Sequence, residues 1–156
     1  MERDRPDIVV FPPFAFFLAV VFTFVLRHWA PLGVLNSLPQ SILTVVGIAI
    51  VVAALWLNIV GVLAFRRAET NIHPGKPALR VVHGGPFRFS RNPMYLGMIL
   101  FVAGLGIAVS TLWGLIAAFF LWAILHWGVV RREEIYLKAK FGDDYNSLLD
   151  RTRRWI

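Results

Sequence analysis

The sequence predicts an all-α, polytopic membrane protein with about four transmembrane helices, two of them joined as a helical hairpin. Of its 156 residues, 58% are hydrophobic and only 16% are charged, which is too apolar for an ordinary soluble domain of this size. The stretches between Arg27 and Arg66 and between Arg91 and Arg131 contain no Asp, Glu, Lys or Arg. Because the chain is too short to bury both stretches in one core, we expect them to lie in lipid. We expect one domain over residues 1–156.

The first apolar run, residues 11–28, predicts the first span. Pro12 and Pro13 fall in its first turn, where a helix tolerates proline. The run is too long for the apolar region of a signal peptide and no small-residue cleavage site follows, so we expect a retained helix. The uncharged residues 30–40, which include Asn36, connect it to the next span.

The second apolar run predicts a span over residues 42–65. Ser41 precedes it and is its expected N-cap. Asn58 is the only amide inside it, and an amide in this position usually makes an interhelical hydrogen bond.

Residues 66–92 form the main polar loop. They carry one acidic residue, Glu69, against six basic residues: Arg66, Arg67, Lys76, Arg80, Arg88 and Arg91. This excess predicts a cytosolic loop.

The third apolar run, from Met94 to Val130, is nearly twice the roughly 20 residues that cross a bilayer. We therefore expect a hairpin that turns at Ser110 and Thr111, with spans over residues 94–109 and 111–130. Gly104 and Ala108 form a small-x-x-x-small pair that would let two helices approach closely.

Residues 131–156 predict a cytosolic tail. The last helix continues through Glu133 and Glu134, and an amphipathic segment then leads to a basic end suited to a membrane interface. Four spans place both termini in the cytoplasm, and the basic flanks favour an inner (plasma) membrane.

The segment from His83 to Gly97, HGGPFRFSRNPMYLG, sets a basic block against the start of an apolar helix. Arg88 and Arg91 lie three residues apart, and Pro93 suits a first helical turn. We expect both cations and the free N–H groups of that turn to face one small volume, where an anionic group would be favoured. A simple positive-inside flank is the alternative interpretation.

Two motifs carry a resemblance to a known family. The run GPFRFSRNPMYLG and the later REEIYLKAKFGDDY resemble the integral-membrane isoprenylcysteine carboxyl methyltransferase and phospholipid N-methyltransferase group. In that group, Gly-Pro-Tyr-Arg leads into Arg-His-Pro-x-Tyr-x-Gly, and a Glu-Glu pair precedes Phe-Gly-x-x-Tyr. The likeness runs from Phe65 to the C-terminus and departs from the pattern at Phe87 and Asn92.

The resemblance implies a methyltransferase with a cytosolic-face pocket for S-adenosylmethionine. Carboxylates would answer the cofactor's ammonium and ribose hydroxyls, and an Arg would answer its carboxylate. It assigns catalysis to Arg91 and Glu134. The cofactor-binding residues that it implies are His83, Gly84, Gly85, Pro86, Arg88, Arg91, Asn92, Tyr95, Glu133 and Glu134. Without it, Glu133 and Glu134 would be interpreted as a solvated face paired with Arg131 and Arg132.

The residues leave the methyl acceptor open between a carboxylate and an amine on a lipid-like or amphiphilic molecule. An NADPH-dependent membrane sterol or steroid reductase and a non-enzymatic small membrane protein are the alternatives. His73, His83 and His126 do not make a metal set, and no cysteine is present. The basic residues flank apolar spans, which favours membrane lipid over nucleic acid as a partner.

Overall fold

The computed structural model describes residues 4–33 and 38–156, a part of the chain that is built from helices and contains no β-strand. The predicted connection over residues 30–40 therefore lies partly outside the described residues, and Asn36 with it. The elements are α1 (Pro12–Trp29), α2 (Gln40–Arg67), a 3-10 turn (Gly85–Arg88), α3 (Pro93–Ala108), α4 (Leu112–Leu125), a π-helical turn (His126–Val130), α5 (Arg131–Phe141) and α6 (Asp143–Arg151).

The described part contains three continuous helices that are long and apolar enough to cross a membrane: Pro12–Trp29, Gln40–Arg67 and Leu112–Phe141. The fourth apolar helix, α3, is shorter, with 16 residues. Large apolar side chains such as Phe17, Val45 and Phe119 are more than half exposed, as expected for surfaces that face acyl chains. These features confirm the predicted polytopic all-α fold.

Helix α3 packs between α2 and α4, and glycines let the backbones approach closely. A Cβ atom at Gly47 of α2 would collide with the backbone of Ala108 and lie 2.5 Å from the carbonyl oxygen of Gly104. This confirms the expected role of the small-residue pair in α3. Gly106 and Gly114 form a second close contact within the hairpin, where neither position has space for a side chain.

The expected cap of α2 is wrong. The helix begins at Gln40 after Pro39, and no side chain caps it. Instead, Gln40 Nε2 and Thr44 Oγ1 donate to the carbonyl oxygen of Ala108 at 3.1 and 3.2 Å. The end of α3 therefore holds the beginning of α2, a contact between distant residues that replaces the local cap.

The expected interhelical hydrogen bond of Asn58 is also absent from the described part. Its amide nitrogen donates to the carbonyl oxygen of Ala54, four residues earlier in α2, at 2.9 Å. The amide packs directly over Gly97 of α3, which has no side chain to offer a partner. The amide of Asn58 thus finds its hydrogen-bond partner within α2, and the side chain fills the space beside Gly97.

The hairpin turns where the sequence predicts it. Ser110 has a φ of 54°, and the backbone N–H of Thr111 donates to the carbonyl oxygen of Gly106 at 2.8 Å. The chain then returns along α4 and the π-helical turn, so that α5 lies beside the first turn of α3. At the π-helical turn, the carbonyl oxygen of Gly128 accepts the N–H of Val9 at 3.0 Å.

Candidate functional site

The two adjacent carboxylates of α5 have different surroundings. Glu133 is partly buried and accepts a hydrogen bond from the hydroxyl of Tyr95 at 2.8 Å. Within residues 4–33 and 38–156, no Lys or Arg forms a salt bridge with Glu133. The carboxyl group of Glu133 therefore has a polar donor beside it but no salt-bridge partner among these residues.

Glu134 instead lies between two guanidinium groups. Its nearest nitrogen atoms are Arg91 Nη2 at 3.1 Å and Arg154 Nη2 at 2.6 Å. The side chains of Glu134 and Arg91 are only 14% and 11% exposed, which places this ion pair in a weakly screened setting. The interpretation of both carboxylates as a solvated face paired with Arg131 and Arg132 is therefore wrong.

The C-terminal tail is tied to the start of α3. The guanidinium of Arg91 donates to the carbonyl oxygens of Leu149 and Thr152, and its backbone N–H donates to the carbonyl oxygen of Arg153 at 3.0 Å. Asn92 Nδ2 donates to the carbonyl oxygen of Arg154 at 3.0 Å. We call this set of contacts, centred on Arg91 and Glu134, the tail latch.

Arg154 was not found by reasoning from the sequence, which treated it as part of a basic interfacial tail. Its hydrogen bonds to Glu134 hold the pKa of Arg154 above its usual value, so it remains charged at any physiological pH. A basic tail carries no sequence signal for which of its cations turns inward. Only the fold of α6, which buries Tyr145 and Leu148, directs Arg154 towards α5.

Tyr95 and Glu133 line a cavity that we call the Glu133 pocket. Residues 71–82 of the polar loop contribute a second wall, and Tyr136 and Tyr145 contribute aromatic rings. Burial raises the pKa of the Tyr145 phenol well above its usual range, and the negative charge of Glu134 raises it further, so this phenol stays neutral. The enclosed part of the pocket measures about 120 Å³.

The N-terminal segment, residues 4–10, crosses one end of this pocket, where Pro6 contributes to the lining. Asp4 accepts hydrogen bonds from Lys140 Nζ at 2.6 Å and from the hydroxyl of Tyr136 at 2.8 Å. Asp7 pairs with Arg132 at 3.4 Å. These contacts join residues that are far apart in the chain and could not be predicted from it, and they make the segment a cover for the Glu133 pocket.

The predicted cofactor-binding residues divide between two cavities. Arg91, Asn92, Tyr95, Glu133 and Glu134 line the Glu133 pocket. The others line a second cavity of about 900 Å³ between α2, the 3-10 turn and the tail: His83, Gly84, Gly85, Pro86 and Arg88. We call it the Arg88 groove.

The expectation that Arg88 and Arg91 face one volume is therefore wrong. The 3-10 turn that ends at Arg88 buries Pro86 and Phe87, and this leaves Arg88 on the outer, exposed side. Arg91 turns inward to the tail latch. Val81 and Val82 line both cavities and so form the wall between them.

Comparison with known proteins gives one result. A family model described as phospholipid methyltransferase matches residues 42–144. No curated protein and no solved structure has a significant match to the chain. The matched range includes α2, the hairpin and both adjacent glutamates, whereas α1, the N-terminal segment and Arg154 lie outside it.

Proposed function

The chain belongs to the phospholipid methyltransferase family, and we propose that it transfers a methyl group from S-adenosylmethionine to a lipid-like acceptor at the cytosolic membrane face. The observation that carries the proposal is Glu133, a carboxylate in an aromatic-walled pocket with no basic partner among the described residues. A carboxylate in that setting favours a cationic ligand, and this cofactor carries both an ammonium and a sulfonium.

The residues of the pocket suit this cofactor chemically. Glu133 would accept hydrogen bonds from the ammonium or the ribose, and the rings of Tyr136 and Tyr145 would pack against the adenine. The enclosed volume of about 120 Å³ is below the roughly 300 Å³ at which ligand pockets usually begin. Binding therefore requires residues 71–82 or the N-terminal cover to move outward, as lids do in many enzymes.

The two glutamates would have separate roles. Glu133 is the proposed cofactor ligand, held in orientation by Tyr95. The family resemblance assigns Arg91 and Glu134 to catalysis. Both side chains are already engaged in the tail latch, and this supports a positioning role for them. Together they would hold the start of α3 and α5 in register, so that Tyr95 meets Glu133.

When bound, S-adenosylmethionine supplies an electrophilic methyl group on a sulfonium. The acceptor's nucleophile forms the new bond to the methyl carbon as the carbon–sulfur bond breaks, leaving a neutral thioether. The chain's contribution would be to align the reactants and to exclude water with its apolar and aromatic walls. A carboxylate acceptor needs no base, whereas an amine must arrive deprotonated; the acceptor is one of these two.

Isothermal titration calorimetry with S-adenosylhomocysteine tests the ligand assignment. We expect Glu133→Gln to weaken binding by about 1.5–3 kcal/mol, the range for a hydrogen bond to a charged group, which is roughly 10- to 150-fold. Glu134→Gln, the matched control, should change the affinity of the folded protein far less. Equal affinity of wild type and Glu133→Gln would reject the assignment. Binding of NADPH alone would reject the proposed function in favour of a reductase.

For the topology, we propose that the polar loop and both termini lie in the cytoplasm of an inner (plasma) membrane. The support is the charge excess of residues 66–92 and the hairpin that returns the tail to the side of α3's first turn. Single cysteines at Lys76 and at Asp150 should both be protected from an impermeant maleimide applied outside intact cells. Labelling of only one of these cysteines would contradict this topology.

A further inference from the structure

Two cations of the Arg88 groove have no salt-bridge partner among residues 4–33 and 38–156. Arg67, at the end of α2, and Arg88 are both exposed and line the groove. In the part of the chain that the structure describes, neither forms a salt bridge or a side-chain hydrogen bond, and no Asp or Glu lines the groove. His83, the third basic group there, contacts Asp144 at 2.9 Å. The groove is therefore open to an anion.

Below these cations the groove is apolar. Its walls come from α2 and the start of α3, with Trp56, Leu57, Val60, Leu63 and Leu96 among the lining residues. From Trp56 to Arg67 the helix rises by roughly 16 Å, at about 1.5 Å per residue. This matches the roughly 15 Å depth of one leaflet's hydrocarbon region. Charge at one end and an apolar length of one leaflet describe the shape of a phospholipid.

We propose that the Arg88 groove binds an anionic phospholipid, with its phosphate at Arg67 and Arg88 and an acyl chain along α2. Guanidinium groups suit phosphate because their planar donor forks match its oxygens. A zwitterionic lipid would bring its own cation towards the same two Arg side chains, so the groove should favour a headgroup with net negative charge. The exposed ring of Phe89 at the rim adds an apolar contact at the interface.

This lipid site is separate from the Glu133 pocket. Val81 and Val82 form the wall between the two cavities, and Val82 and its neighbour Phe87 are 9% and 6% exposed. A headgroup held by Arg67 and Arg88 would therefore stand outside the pocket in which methyl transfer is proposed. The lipid in the groove is an accessory ligand and not the methyl acceptor, so the inference does not rest on the proposed function.

Native mass spectrometry of the purified full chain in detergent, with no cofactor added, tests the site. Dioleoyl phosphatidylglycerol and dioleoyl phosphatidylcholine are titrated separately, and we expect only the first to bind at low micromolar concentration. An Arg near a charged lipid surface contributes about fivefold, so the double variant Arg67→Gln/Arg88→Gln should lose roughly 30-fold in apparent affinity for phosphatidylglycerol.

Two controls separate the groove from general charge attraction. Arg66→Gln/Arg151→Gln removes the same charge at exposed positions that do not line the groove, and should retain the affinity. Val60→Trp keeps the charge but fills the apolar part, and should lose phosphatidylglycerol at least tenfold. Equal binding of the two lipids to wild type, or equal losses in the two double Arg variants, would overturn the proposal.

Discussion

The Glu133 pocket and the Arg88 groove lie back to back and differ in charge: Glu133 and Glu134 line the pocket together with Lys76, Arg80 and Arg91, whereas no Asp or Glu lines the groove. The first is lined by carboxylates, is covered by the N-terminal segment and is small. The second has cations without counter-charge among the described residues, opens beside α2 and is several times larger. Both take residues from the same fifteen-residue block, His83 to Gly97. One continuous motif therefore contributes residues to two cavities of different composition.

The wall between the two cavities explains the division. Val81, Val82 and the 3-10 turn pass between α2 and the tail, so residues 83–86 and 88–90 line the groove, whereas residues 91–95 line the Glu133 pocket. Burial of Phe87 under Phe65, whose ring lies 5.4 Å away, fixes that turn. The cations are divided by local packing and not by their spacing in the sequence.

The largest difference between the two sides should appear in the stability of the fold. Arg91→Ala removes one cation from the nearly buried Glu134 and leaves the carbonyl oxygens of Leu149 and Thr152 without their donor. We expect a loss of about 3 kcal/mol in the free energy of unfolding, the lower end for breaking a buried ion pair, because Arg154 still pairs with Glu134. Unfolding in dodecyl sulfate, followed by tryptophan fluorescence, measures it.

Arg88→Ala is the matched control for that measurement. It removes an exposed Arg from the groove side of the same block and should change the free energy of unfolding by less than about 0.5 kcal/mol. If both variants destabilise the chain equally, the two sides do not differ in the way described.

A smaller effect should follow from Tyr95→Phe. The change removes the hydroxyl that orients Glu133, a hydrogen bond of 2.8 Å, and leaves the ring in place. We expect affinity for S-adenosylhomocysteine to fall by about 1 kcal/mol, or roughly fivefold. Calorimetry on Tyr136→Phe provides the comparison, since the hydroxyl of Tyr136 contacts Asp4 and the N–H of Ala78 instead of Glu133. A larger loss of affinity in Tyr136→Phe than in Tyr95→Phe would contradict the assignment of Glu133 and would place the ligand nearer the N-terminal cover.

The apolar runs of the sequence predicted the helices well. Continuous stretches without charge, together with the Ser110–Thr111 turn, place all four apolar helices to within a few residues of their observed bounds. The phase of a lipid-facing helix depends on how its neighbours pack, and here small residues such as Gly47 and Gly114 determine that packing. The contact of Gly47 with α3 was predicted from the pair of Gly104 and Ala108, whereas the contact of Gly114 with Gly106 was not predicted.

The interior of the candidate site was less predictable, because its contacts join distant residues. Glu134 depends on Arg91, 43 positions away, and on Arg154, 20 positions away. Asp4 and Lys140 are separated by 136 positions. The family resemblance grouped Tyr95 with Glu133. These two side chains share a hydrogen bond, and both lie in the matched range of residues 42–144. The N-terminal cover lies outside that range. The tail latch joins Arg91, Asn92 and Glu134 inside the range to residues 149–154 beyond it, and no motif marks those partners.

The π-helical turn at His126–Val130 sets the directions of the two glutamates that follow it in α5. Such a turn accommodates one more residue than an α-helical turn would, and each residue rotates the following chain by about 100°. With a regular α-helix there, every side chain after Val130 would rotate by about one position, so Glu133 would take the present direction of Glu134, and Glu134 that of Ile135. The proposed ligand role of Glu133 therefore depends on the helical phase, which is set about one turn before either glutamate. An insertion or deletion in this turn would reassign the site without changing a single residue of the Glu-Glu motif.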